Sequence, residues 1–318
     1  MTGAMVACAA HKGLKDNALA TFREILTSTE SRLESSELHF GHGYFDAHDE
    51  AVALVLAAEG LDPLTGSEIL DSDMSQAGQI KLQAFLQERI HNRLPTAYII
   101  GYAALGDLTF RCDSRALVPR SPLMSVIHEG YSPWFSQAAP KRIVDVCCGG
   151  GSLGLLAAYH TPEAEVLMLD IDAEALGLAE SNRCDLGLPN TLCVQTNLLA
   201  TLAPGSVDII LANPPYVDAE DMNNLPQEYR HEPSIALAAG DDGLDLVHEL
   251  LRQAAMVLSD HGILFLEVGN SAPALSSSYP DTAFIWLELA SGGHGVCGVS
   301  ARELKASIAL TGPSSSQV

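Results

Sequence analysis

Through the first ninety residues, apolar positions recur at helical spacing. Leu14, Leu19, Phe22, Ile25, Leu26 and Leu33 mark one predicted face, and an apolar stretch ending at Ala58 follows Asp49-Glu50. Ile80, Leu82, Phe85, Leu86 and Ile90 mark another. Asp62-Pro63 and Ser67-x-x-Leu70-Asp71 supply turn and cap residues between them. Pro95 closes the helical region. From Tyr98 to Val118 the period changes, and YIIGYAALGDLTFRC sets Gly106-Asp107 between apolar runs, which predicts a hairpin. A short helical piece follows Pro122.

From Lys141 onward, strand-like and helix-like segments alternate. RIVDVCC (142–148) reads as a buried strand, followed by a glycine-rich turn and a helix through Tyr159. EVLMLD (165–170) is a second strand, with a helix from Ala173 to Leu186, and TLCVQT and VDIILAN are the third and fourth. After a long irregular stretch, a helix near Leu244 to Leu258 precedes GILFLEV (262–268). TAFIWLEL and GVCGV complete the series, joined by SGGHG as an antiparallel edge hairpin. The pattern therefore predicts an α/β chain with a mostly parallel sheet covered by helices on both faces. It divides into an N-terminal helical domain (1–94), a linker with the hairpin (95–122), a sheet domain (123–310) and a frayed tail (311–318).

With 318 residues, 47% of them hydrophobic and 18% charged, the chain has material for a sizeable core, which excludes global disorder. The longest clean apolar run, Ala51 to Ala58, is far short of the roughly 20 residues that span a bilayer. The opening MTGAMVACAAHKGLK has its basic residues after a weak small-residue stretch, the reverse of a secretory signal. The expected setting is the cytoplasm, with no membrane contact. Seventeen basic against forty acidic residues give a net charge of -23. Such a chain repels polyphosphate, so direct DNA binding is not expected, and a basic protein partner suits it better. By itself, acidity is equally explained by solubility. The seven cysteines (Cys8, Cys112, Cys147, Cys148, Cys184, Cys193, Cys297) include no C-x-x-C pair, and no H-E-x-x-H motif occurs among the eleven histidines. A reduced protein without a resident metal is expected. Cys147 and Cys148, if they end a strand, point to opposite sides and cannot share an ion.

Candidate chemistry gathers at the strand ends. Gly149-x-Gly151-x-x-Gly154 follows the first strand, and Asp170 ends the second, where an acid that accepts from ribose hydroxyls belongs. Two cofactors fit this arrangement: a nicotinamide dinucleotide, and S-adenosylmethionine. Asn213-Pro214-Pro215-Tyr216 at the end of the fourth strand favours the second. An amide nitrogen is a poor nucleophile because its lone pair is delocalised into the carbonyl. The Asn213 side-chain oxygen and the Pro214 carbonyl can each accept one of its N–H bonds and aim the lone pair at a methyl donor. Successive prolines stiffen the turn, and Tyr216 offers an aromatic face to a planar group.

At these residues the chain resembles the N(5)-glutamine protein methyltransferase family, Rossmann-like S-adenosylmethionine-dependent enzymes with an N-terminal helical domain. Within it, FGHGYFDAHDEA (40–51), RLPTAYIIGYA (93–103), LVPRSP (117–122), YRHEPSIALAAGDDGLDLV (229–247) and WLELASGGHGV (286–296) resemble the branch acting on the third large-subunit ribosomal protein. The branch acting on peptide release factors typically has P-R-P-D-T-E where this chain has Pro119-Arg-Ser-Pro-Leu-Met124. The resemblance implies that Cys147, Cys148, Gly149, Gly150 and Gly151 line the methionine and ribose part of the cofactor. It implies that Asp170 holds the ribose and that Asn213, Pro214, Pro215 and Tyr216 form the reactive turn, with Asn213 also beside the cofactor. Asn197-Leu198 matches a position where the family has Asp and an apolar residue against adenine. Asn197 departs from that Asp, Cys148 from the usual Thr and Gly150 from a common Ser or Thr.

Other residues carry less. Glu267 either faces the crevice or satisfies nearby backbone donors, the second being favoured. His231 is read as an ordinary loop histidine. Arg120 either braces the linker or grips a substrate carbonyl. Asp218, Glu220 and Asp221 either meet a basic target or edge a solvated loop. The function implied is glutamine methylation of a basic large-subunit ribosomal protein. Release-factor methylation, adenine-N(6) methylation of nucleic acid, a non-catalytic assembly factor and a dehydrogenase stand as alternatives. The pattern carries no signal for an oligomeric state.

Overall fold

The computed structural model describes residues 19–135, 139–289 and 292–310. Leu14, Cys8, the remainder of the opening stretch and the tail from 311 lie outside these residues. Helix α1 (Phe22–Glu34) begins in a capping box: Thr21 accepts from the Glu24 N–H, and the Glu24 carboxylate accepts from the Thr21 N–H. Asp46 caps α2 (Ala47–Glu59), which Gly60 stops in the left-handed conformation (φ 79°). Ser67–Ile69 is a single 3-10 turn, and Ser75 caps α3 (Gln76–His91). Leu33, Leu54, Val55, Leu82 and Leu86 close a core among these three helices.

Pro95 does not end the helical region. It stands at the start of α4 (Thr96–Ile100), which Gly101 terminates at φ 86°. A proline with φ near -60° is preorganised to begin a helix, so Tyr98, Ile99 and Ile100 belong to a helix and not to the hairpin region. The hairpin itself follows, β1 (Tyr102–Leu105) and β2 (Leu108–Arg111), antiparallel about Gly106-Asp107. Helix α5 (Met124–His128) follows Pro122.

The remaining elements are β3 (Arg142–Val146), α6 (Ser152–His160), β4 (Glu165–Asp170), α7 (Ala173–Leu186), β5 (Thr191–Gln195), β6 (Val207–Ala212), α8 (Ala219–Asn224), α9 (Asp245–Val257), β7 (Leu258–Glu267), α10 (Ala272–Ser278), β8 (Ile285–Trp286), β9 (Val296–Ser300) and α11 (Ala301–Leu310). The strands form one sheet in the order β5-β4-β3-β6-β7-β9-β8. The first five run parallel, and β9 is antiparallel to both neighbours. The edge hairpin expected from sequence is present, but its first strand shrinks to Ile285–Trp286, both exposed. Alternate residues serve opposite faces: Ile143, Ile209 and Phe265 pack with α5, α6 and the hairpin, whereas Val144, Ile210 and Leu264 pack with α9 and α11. Among the described residues, no helix is long and apolar enough to cross a membrane.

A buried ion network joins the N-terminal helices to the chain that follows the reactive turn. Arg89 of α3, 1% exposed, donates to Glu50 of α2 at 2.7 and 3.0 Å, to Glu228 at 3.2 Å and to the His39 carbonyl at 2.8 Å. Glu228 lies in the 3-10 turn Gln227–His231 and also accepts from the His39 N–H. Removing this guanidinium leaves the Glu50 carboxylate buried without its partner and takes from Glu228 the nearer of two guanidiniums, Arg93 lying at 3.5 Å. Arg89→Leu is therefore expected to cost about 3–5 kcal/mol, read as a lowered midpoint in urea denaturation.

Candidate active site

Parallel pairing fixes the site. Val146 of β3 sits opposite Leu169 of β4 and Ala212 of β6, so the next residues on the three strands, Cys147, Asp170 and Asn213, emerge side by side. Strand order reverses between β3 and β6, where open α/β sheets form their ligand crevice. A cavity of about 560 Å³ opens there.

Strand β3 ends at Val146, two residues earlier than the sequence suggests, because Cys147 takes a left-handed conformation (φ 58°) that leaves the ladder. The facing directions expected of a strand therefore do not apply to Cys147 and Cys148. Gly149 (φ 54°) and Gly151 (φ 80°) continue the turn. Cys147, Cys148, Gly149 and Gly150 line the cavity. Gly151 does not. It opens α6, and a side chain there would meet Ala179 Cβ and Met168 Sδ at 3.0 Å, so it serves close packing. Gly154 does the same against Met168 and Asp145. Asn182 of α7 donates to the Gly150 carbonyl at 2.9 Å and its oxygen accepts from the Arg111 N–H at 2.7 Å, locking the turn to the hairpin.

Asp170 accepts from the Gly149 N–H at 2.8 Å and the Asp172 N–H at 2.9 Å. Each oxygen retains lone-pair capacity toward the cavity it lines. Burial pushes this carboxyl above its usual range, and the backbone donors pull it back. Burial also raises both thiols, Cys147 and Cys148, which stay protonated and are poor nucleophiles.

Asn213, Pro214, Pro215 and Tyr216 all line the cavity. The Tyr216 hydroxyl donates to Glu267 Oε1 at 3.0 Å, and the Ser121 hydroxyl donates to Glu267 Oε2 at 2.5 Å. Gly269 (φ 46°) leaves room for the Tyr216 ring, which a Cβ would approach to 2.7 Å. Glu267 thus lines the cavity and receives two side-chain hydroxyls, where sequence reasoning favoured backbone donors. Burial raises its carboxyl and those two hydroxyls pull it back.

Arg120 braces the linker: it forms a fork with Glu232 at 2.5 and 2.7 Å and donates to the Val118 carbonyl. Burial raises the Glu232 carboxyl, but Arg120 and His42 outweigh it and hold it at about 2. His231 Nε2 lies 2.8 Å from the Asn92 carbonyl, the ordinary loop contact expected. Asp218 caps α8, and Asp221 accepts from Asn270 at 3.0 Å at the cavity margin.

Asn197 and Leu198 are not brought to the cavity. Leu198 turns left-handed (φ 50°) and buries its side chain in the core beside α9, leaving Asn197 on the surface. Ile171, half exposed and next to Asp170, lines the cavity in their place. Its signal was its position directly after the strand-end acid.

A methyltransferase small domain matches residues 133–230. A ribosomal protein uL3 glutamine methyltransferase of Xanthomonas campestris pv. campestris is 38% identical over 90% of this chain and 93% of its own length. Its counterpart in Bordetella pertussis is 39% identical over 86% and 92%, and that of Neisseria gonorrhoeae 37% identical over 90% and 95%. The chain belongs to this family. It is a methyltransferase.

One more buried acid stands beside the glycine-rich turn of this uL3 glutamine methyltransferase relative. Asp145 of β3 lines the cavity floor and accepts from the Gly154 N–H at 2.8 Å. Burial drives its carboxyl up to about 7, only partly offset by that N–H. A carboxyl raised in the folded state stabilises the fold fully below its unfolded pKa and loses that contribution as pH rises to the folded value. Asn keeps the acceptor without a charge. Asp145→Asn is therefore expected to gain on the native protein by about 2 kcal/mol between pH 5.5 and 8, measured by chemical denaturation at both.

Proposed function

We infer that this chain transfers a methyl group from S-adenosylmethionine to the side-chain nitrogen of a glutamine in ribosomal protein uL3, in the cytoplasm. The family of its relatives supports the reaction and the substrate. The observation that carries the mechanism is the common level of Cys147, Asp170 and Asn213 around one cavity.

The residues fit the cofactor. At Gly149 the nearest heavy atom to where a Cβ would stand is Ala116 Cβ at 3.5 Å, so the turn leaves room beside it for a ligand. Asp170 would accept from the ribose hydroxyls, and Ile171 would lie against the adenine. When bound, S-adenosylmethionine supplies an electrophilic methyl on a positively charged sulfur. Asn213 Oδ1 and the Pro214 carbonyl accept the two N–H bonds of the target carboxamide and orient its nitrogen. Pro214 and Pro215 are buried and hold the turn rigid, and Glu267 fixes Tyr216 so that its ring packs against the planar amide. Rate acceleration then comes from alignment and preorganised dipoles, with no strong base. Asp218, Glu220 and Asp221, just past the turn, are read as the docking edge for a basic stretch of the substrate, in keeping with a net charge of -23.

Incubation with methyl-labelled S-adenosylmethionine and purified uL3, a release factor or duplex DNA tests the reading. Label is expected in a uL3 glutamine; label only in the release factor or only in DNA overturns it. Asn213→Ala is expected to lower kcat by about a hundred- to a thousandfold, with cofactor binding falling much less. Asp170→Ala is expected to weaken cofactor binding more than tenfold, in line with the loss of charge-assisted hydrogen bonds, measured by calorimetry.

A further inference from the structure

Away from the active site, three ligand-type side chains from three elements converge. Asp107 lies in the turn between β1 and β2, His128 is the last residue of α5, and His160 is the last residue of α6. Asp107 Oδ2 is 3.4 Å from His128 Nε2 and 3.0 Å from His160 Nε2. The two imidazole rings stand edge to face with centroids 4.8 Å apart. One donor atom from each residue falls within 4.8 Å of the others. In tetrahedral coordination at about 2.1 Å, neighbouring ligand atoms are roughly 3.4 Å apart. Two edges of this triangle already have about that length.

A single ion pair does not account for the arrangement. Both imidazoles aim Nε2 at the same carboxylate oxygen, and two imidazolium rings this close would repel each other. The backbone is shaped to the cluster: Gly106 is left-handed (φ 58°), and a Cβ there would meet His128 Cε1 and Nε2 at 2.8 Å. Only glycine lets the turn seat Asp107 beside that ring. The histidines also end their helices, where carbonyl dipoles favour positive charge. The side chains remain 27%, 33% and 58% exposed, which leaves a coordination position open to water.

We propose that Asp107, His128 and His160 form a divalent transition-metal site, best suited to zinc. Two imidazoles and a carboxylate are a zinc-type donor set, too rich in nitrogen for magnesium or calcium. The site lies at the opposite end of α6 from the glycine-rich turn. A bound ion would cross-link the hairpin, α5 and α6, whose apolar faces share one core (Leu105, Phe110, Ile127, Leu156). Its role is a clamp on the linker and the cofactor-side helix, not a part in methyl transfer.

The full chain, stripped with chelator and dialysed, is titrated with zinc chloride by calorimetry and with cobalt(II) by absorption spectroscopy. The native protein is expected to bind one equivalent at this site, with a cobalt spectrum free of the near-ultraviolet thiolate bands that cysteine ligation would add. Zinc is expected to raise Tm. In the His128→Ala/His160→Ala double variant, affinity is expected to fall roughly a hundredfold or more and the Tm response to vanish, with methyl transfer retained. Asp107→Asn, a milder change in an exposed turn, is expected to weaken binding in the same direction if the double variant does not fold. Equal affinity and stoichiometry in native and variant chains, thiolate bands in the native spectrum, or no zinc-dependent Tm rise would overturn the proposal.

Discussion

Register between three parallel strands is the constraint on which the chemistry of this protein rests. With Val146 opposite both Leu169 and Ala212, the glycine-rich turn, the ribose-side acid and the reactive turn leave the sheet at one level. A slip of one residue on any strand would exchange its core and solvent faces, because side chains alternate. It would send Val144 or Ile210 to the wrong layer, so the hydrophobic cost of misregister protects the active-site geometry. The site is precise because the core beneath it permits one pairing.

Around that level, buried polar groups tie separate parts of the chain to the crevice. Glu267 collects a hydroxyl from the linker and one from the reactive turn. Glu232 gathers Arg120 and the Val118 N–H, and Arg89 joins Glu50 to Glu228. The segment 227–232 is thereby held from the linker and from the N-terminal helices at once. Such pairs contribute little net stability against apolar replacements, but breaking one is costly, and this favours a single arrangement of the cavity wall. Through these contacts the N-terminal helices buttress the part of the cavity wall that His39 and Tyr229 line.

Burial sets the state of the ionisable groups near the cofactor turn. The thiols of Cys147 and Cys148 are kept neutral, and Asp145 is brought close to neutrality. Asp170 keeps backbone donors on both oxygens, which favours its charged form. Burial raises both aspartates, Asp145 with one backbone donor up to about 7 and Asp170 with more donors less far, and both line the cavity.

The sequence by itself determined the alternating α/β plan, the hairpin about Gly106-Asp107, the helix over 173–186 and the motif residues of the crevice, since periodicity, caps and strand-end motifs are local properties. It also carried the family resemblance. Tertiary structure decided what local pattern does not encode. Pro95 starts a helix because the chain turns back at Gly101, and the stretch before β9 keeps only two paired residues at an exposed edge. Leu198 turns inward because the core beside α9 has a place for it, taking Asn197 away from the crevice. The partners of Glu267 and Arg120, and the meeting of Asp107, His128 and His160, join residues from about twenty to nearly 150 positions apart in sequence. Contacts of that span are set by which faces pack, and packing is a property of the whole fold.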